Sequence, residues 1–262
     1  MLKARLWTAA VALPAVLAIV IFAPGWIFSA FIAVIGLWGL YEVAEMTRSR
    51  DVGSFAILAV AGAAPLLAIL TLGDGGIWII PVSVIAAMFV LVILVAIRGP
   101  AGGPGGAILT ALGAIYVGVL YPYFAMLRNS RGGIPIIILM LLLVVASDSG
   151  AYFVGSAIGH TKLAPRVSPG KSVEGAIGGL VAAIAAGAIL RRWLAPDWSV
   201  AATAAISAAI AILAQTGDLA GSAFKRTAGV KDSGWIFPGH GGLIDRTCSL
   251  VFATVLTYYC LR

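Results

Sequence analysis

Two stretches near the end of this 262-residue chain gather side chains suited to phosphate chemistry. In GDLAGSAFKR, Asp218, Ser222 and Lys225 stand at i, i+4 and i+7. A helix through them presents a carboxylate, a hydroxyl and an ammonium on one face, with Arg226 beside them. KDSGWIFPGHGGLIDR follows at 231–246: Lys231 and Asp232 open it, the turn PGHGG with His240, Gly241 and Gly242 fills it, and Asp245 and Arg246 close it. Glycines there permit positive φ and close approach of backbone to an anion. Carboxylates without a His or Cys set at zinc spacing favour a hard, oxygen-seeking ion such as Mg2+. The two stretches together look like parts of a metal and phosphate site.

A second polar region lies upstream. SDSGAYFVGSAIG spaces Asp148, Tyr152, Gly155 and Gly159 at four, three and four, one stripe of a helix. An ionisable group at the edge of an apolar span is expensive and suggests function, so Asp148 joins the candidates. Gly155 and Gly159 read as a close-packing pair. In KLAPRVSPGKSVEG, Gly170-Lys171-Ser172 imitates the end of a P-loop, but Pro165 stands where that motif needs Gly. Lys171 and Arg166 remain phosphate ligands as point charge and fork. Glu174 is expected to cap the following helix.

The elements that must carry these residues are read from hydropathy. The chain is 61% hydrophobic and 10% charged, with mean hydropathy +1.08. Since about 20 apolar residues cross a bilayer, it reads as an all-α, polytopic integral membrane protein with about nine transmembrane helices. The expected spans are 6–22, 26–46, 55–72, 77–97, 107–127, 134–157, 173–194, 199–216 and 247–261. Residues 1–130 form an N-terminal set of helices, and 131–262 a C-terminal set carrying catalytic loops on the cytoplasmic face. The first run follows Lys3 and Arg5 without a convincing cleavage site and is read as a retained helix. A cytoplasmic N-terminus puts twelve of the seventeen Lys and Arg on the cytoplasmic side, the arrangement that short loops favour. The net charge of +7 is thereby concentrated on one face, which suits anionic headgroups or a phosphorylated substrate. Cys248 and Cys260, about 18 Å apart along one helix, cannot pair within the chain.

SAFKRTAGVKDSGWIFPGHGGLIDR resembles the signature of the phosphatidate cytidylyltransferases, also called CDP-diacylglycerol synthases: Ser-x-x-Lys-Arg, four residues, Lys-Asp, a His-Gly-Gly turn and Asp-Arg. DSGAYFVGSAIG and SPGKSVEG are similar to two further stretches of that family, so the likeness covers about residues 145–250. The resemblance implies attack of the phosphate of phosphatidic acid on the α-phosphorus of CTP, giving CDP-diacylglycerol and pyrophosphate. It implies metal ions at Asp218 and Asp245, with Mg2+ as the cofactor and room for a second cation. Lys225, Arg226, Lys231 and Arg246 would then stabilise the leaving pyrophosphate. Ser222, Lys171, Asp148, Asp232, His240, Gly241 and Gly242 would contact substrate, with a turn-forming role the alternative for His240 and a structural hydrogen bond the alternative for Asp148. Expected partners are CTP, phosphatidic acid and the lipid bilayer, with no nucleic acid and with homodimerisation open. The expected location is a bacterial inner membrane, with the active site facing the cytoplasm. Alternatives are a CTP-dependent kinase of a polyprenol-type lipid and an ion-coupled transporter. The chain departs from the family pattern at Gly170, where the family has Lys, and at Cys248, where it has Asp.

Overall fold

The computed structural model describes residues 14–48, 52–77, 79–82, 84–85, 88, 104–236 and 241–261. Helix dominates. After α1 (residues 14–22) come α2 (Gly25–Thr47), α3 (Val52–Gly76), α4 (Pro104–Leu120), α5 (Pro122–Asn129), α6 (Gly133–Ile158), α7 (Val173–Leu194), α8 (Val200–Thr227) and α9 (Leu243–Leu261). Among the described residues, six helical segments are long and apolar enough to cross a membrane: α2, α3, Gly106–Asn129, α6, α7 and α8. The all-α membrane class expected from hydropathy is therefore observed. Of the expected spans, 6–22 lies partly and 77–97 largely outside the described residues. The last helix opens with Asp245 and Arg246 and stands outside the set of six.

Within α3 the backbone widens to a π-helix at Leu58–Ala63 and tightens to a 3-10 turn at Gly73–Gly76, and two other features break the helical pattern more deeply. The expected span 107–127 breaks at Tyr121, because the proline at 122 disfavours helical geometry in the residue before it and suits the first turn of a new helix. Between α6 and α7 the chain forms an antiparallel hairpin, β1 (Lys162–Ala164) and β2 (Ser168–Ser172), with Lys162 opposite Ser172 and Ala164 opposite Ser168. The expected spans 134–157 and 173–194 predict only a loop here. Strands this short, carrying Pro165, Pro169 and Gly170 in or between them, give no alternating pattern to detect.

The chain divides into two compact units, one of residues 1–126 with 224–246 and one of 127–223 with 247–262. Apolar burial gives helices little drive to associate within lipid, so close packing and interhelical hydrogen bonds must do it. In the first unit, small residues let α2, α3 and α4 touch: a side chain at Gly36 would strike Leu66, one at Gly62 would strike Leu40, and one at Gly118 would strike the backbone of Gly62. Gly113 faces Val43 and the ring of Phe224, which ties the end of α8 into this unit. In the second unit, α6 and α7 pack through Gly150, Gly175, Gly178 and Gly179, each without space for a β-carbon, and through Gly155, where an added β-carbon would press on Ser172 Oγ at 3.1 Å. The packing role read for Gly155 is therefore seen, whereas Gly159 has left the helix and caps it with extended backbone.

Candidate functional site

In the first unit, the Lys225 ammonium pairs with Asp245 Oδ1. Both side chains are nearly shut off from solvent, at 16% and 4% exposure. Asp245 Oδ2 accepts from the backbone N–H groups of Ser233 at 2.8 Å and Gly242 at 3.0 Å, and lies 3.1 Å from Ser233 Oγ. The last turn of α8, the loop at 231–233 and the start of α9 thus converge on one carboxylate. Such charge-assisted bonds are about twice as strong as neutral ones. Ion pair and backbone bonds together keep Asp245 ionised and Lys225 in place.

A second carboxylate lies directly behind. Glu42 of α2 is 2% exposed and accepts four hydrogen bonds. Its Oε1 receives the N–H of Leu243 at 2.7 Å and the Trp38 indole at 3.2 Å; its Oε2 receives Ser233 Oγ at 2.8 Å and the N–H of Ile244 at 3.0 Å. It therefore satisfies two of the orphan donors at the N-terminus of α9, where negative charge also opposes the helix dipole. The glycines of the turn fit around these two acids. Gly241 has φ +77°, and a side chain there would meet Asp245 Oδ2. Side chains at Gly234 or Gly242 would meet the Glu42 carboxylate. The anions that Gly241 and Gly242 approach are thus the protein's own carboxylates. Arg226, Lys231, Asp232 and Arg246 are exposed in the same unit, while His240 lies outside the described residues.

The second unit carries its own polar cluster. Lys171, at the end of β2, places its ammonium 2.7 Å from Asp218 Oδ2, with the two side chains 25% and 43% exposed. Cys248 Sγ lies 3.7 Å from Asp218 Oδ1. Asp148, exposed on α6, lies within electrostatic range of both Asp218 and Lys171. One turn before Asp218, the Gln215 amide donates to the Ala176 carbonyl at 3.1 Å and reaches Ser147 Oγ at 3.4 Å, fixing α8 against α7 and α6. Cys248 is buried at 4% exposure, with Gly217 and Gly221 leaving no room for side chains against it. Ser222 is half-buried on α8. Arg166 is exposed at the hairpin turn.

The hairpin that delivers Lys171 is braced by Glu174. Its carboxylate accepts from the backbone N–H of His160 at 3.2 Å and of Thr161 at 3.1 Å. The helix cap expected of Glu174 is supplied by Ser172, whose Oγ accepts from Gly175 N at 3.1 Å. Two residues that matter to the geometry escaped the sequence reading, Glu42 and Ser233. Glu42 carried a usable signal, an acid inside an apolar span; Ser233 carried none. Among the described residues, no three His, Cys, Asp or Glu side chains gather to hold a metal ion.

Apolar helices of membrane-crossing length that carry two carboxylate–ammonium pairs define an integral membrane protein. The chain belongs to the cytidylyltransferase family, whose sequence profile it matches over residues 3–262. It is 35% identical over 239 residues to a phosphatidate cytidylyltransferase of Brucella suis, covering 88% of this chain and 83% of that one. With the phosphatidate cytidylyltransferase of Staphylococcus haemolyticus it shares 31% identity over 252 residues, 93% of this chain and 95% of the relative. The protein of that name in Bacillus subtilis is 40% identical over 151 residues, 57% of this chain and 56% of its own.

Proposed function

We propose that the chain transfers CMP from CTP to phosphatidic acid. A phosphate oxygen of the lipid bonds to the α-phosphorus of CTP, the bond from that phosphorus to the bridging oxygen of the β-phosphate breaks, and pyrophosphate leaves. The observation that carries this reading is membership of the cytidylyltransferase family over nearly the whole chain, with relatives named for this activity along 83% to 95% of their length. Transfer of this kind is mostly positioning and charge neutralisation. Lys225, held by Asp245, and the exposed Arg226, Lys231 and Arg246 supply fixed and mobile positive charge for the phosphates.

A divalent cation belongs to the same proposal. Asp218 and Asp148 fit it: they are two oxygen donors on α8 and α6 with one ammonium, Lys171, near both. Magnesium, when bound, would screen the negative charge of the triphosphate. Asp245 fits less directly, since Lys225 and the donors of Ser233 and Gly242 already occupy its oxygens. We assign it first to holding Lys225 and the loop. The reading also includes nine spans with a cytoplasmic N-terminus and a site that opens to the cytoplasm, supported by the charge distribution of the loops.

The test is incubation of purified protein in lipid micelles with phosphatidic acid and CTP labelled at either the α- or the γ-phosphate. Label from the α-position should enter a CDP-lipid with release of pyrophosphate. Transfer of the γ-label to lipid with release of CDP would make the protein a lipid kinase.

A further inference from the structure

We propose that Glu42 is a positioning residue for the transfer reaction, acting through Ser233 and the N-terminus of α9 on the Asp245–Lys225 pair; the inference rests on the function proposed above. Ser233 Oγ lies 2.8 Å from Glu42 Oε2 and 3.1 Å from Asp245 Oδ2. It also accepts the N–H of Asp245 at 3.3 Å. A hydroxyl has one proton to donate, so the two carboxylates compete for it, and the shorter contact assigns it to Glu42. Asp245 then relies on Lys225 and on the backbone N–H groups of Ser233 and Gly242.

Glu42 sets this division while, among the described residues, making no hydrogen bond or ion pair to Lys225, Arg226, Lys231 or Arg246. Its other bonds, to Leu243, Ile244 and Trp38, anchor the helix on which Asp245 and Arg246 ride. Three glycines, at 234, 241 and 242, leave room for the two acids and for nothing larger. A purely structural acid would need only the backbone bonds. The shared serine connects it to the chemistry.

Ser233→Ala keeps the Glu42 bonds to α9 but removes the hydroxyl that joins Glu42 to Asp245, both its donation to the carboxylates and its acceptance of the Asp245 N–H, whereas Glu42→Gln puts an amide where the hydroxyl or a backbone N–H must donate. Each variant should lower kcat per folded molecule at least tenfold, with KM for CTP within about threefold of the parent, and the double variant should lose little more than either alone. Amide hydrogen exchange, which needs no turnover, should accelerate at residues 231–246 in Glu42→Gln and stay unchanged in α6 and α7. Full kcat in Ser233→Ala, or a double-variant loss equal to the product of the single losses, would overturn the proposal. So would unaltered exchange at 231–246 in Glu42→Gln, whatever reaction the parent performs. A parent that exchanges as expected but makes no CDP-lipid would instead overturn the assigned reaction and leave the positioning contacts standing.

Discussion

At the scale of single residues, Asp218 and Asp245 look alike in the sequence and differ in place. Asp218 is half-exposed beside Lys171 and a thiol, so Asp218→Asn should lower turnover about a hundredfold and leave the thermal midpoint within a degree or two. Asp245 is nearly buried with Lys225. Asp245→Asn leaves that ammonium without its partner, and loss of one half of a buried pair costs on the order of 3 kcal/mol. Both activity and thermal midpoint should fall, which scanning of the purified variants will show. Cys248 bears on Asp218, because its sulfur lies within 3.7 Å of that carboxylate. Cys248→Asp should therefore raise turnover at limiting magnesium by adding an oxygen donor, provided that the close contacts of Gly217 and Gly221 admit it. A magnesium titration with melting measured alongside separates this from simple packing: lower activity with a lower midpoint would assign position 248 to the helix interface. The charged candidates were legible because ionisable residues are scarce in so apolar a chain. Glu42 was harder to single out: it carries the signal of an acid inside an apolar span, but it shares α2 with Glu45, and the two together leave the 23-residue span apolar enough to cross a membrane.

At the scale of elements, hydropathy located the six membrane-length helices seen among the described residues, since the length and composition needed to cross lipid are strict. It could not see the hairpin, whose bonds come from Glu174 and from pairing across only a few residues. Nor could it say what the glycine turn encloses. The spacing PGHGG predicts close approach to an anion, and the anions turn out to sit on α2 and α9, the former about two hundred residues away in sequence. Gly242→Ala tests that enclosure. Its methyl group would meet Glu42 and Ser233 Oγ within 2.6 Å, so the variant should melt several degrees lower and lose activity, while Gly170→Ala, with nothing within 4 Å of its added carbon, should match the parent in both.

At the scale of the whole molecule, the proposed topology puts residues 160–170 and 225–240 on the cytoplasmic side. In a background lacking Cys248 and Cys260, single cysteines introduced there should react with a membrane-impermeant thiol reagent only when the cytoplasmic face is open. Labelling of both loops from the outer face would reverse the topology and with it the access of a soluble nucleotide. The central claim is the reaction itself, and one measurement reaches it most directly. Purified protein given phosphatidic acid, magnesium and CTP labelled at the α-phosphate should form labelled CDP-diacylglycerol and an equal amount of pyrophosphate, with Asp218→Asn reduced about a hundredfold in the same assay. Absence of a labelled lipid from folded parent protein, or equal turnover in the Asp218 variant, would contradict the account.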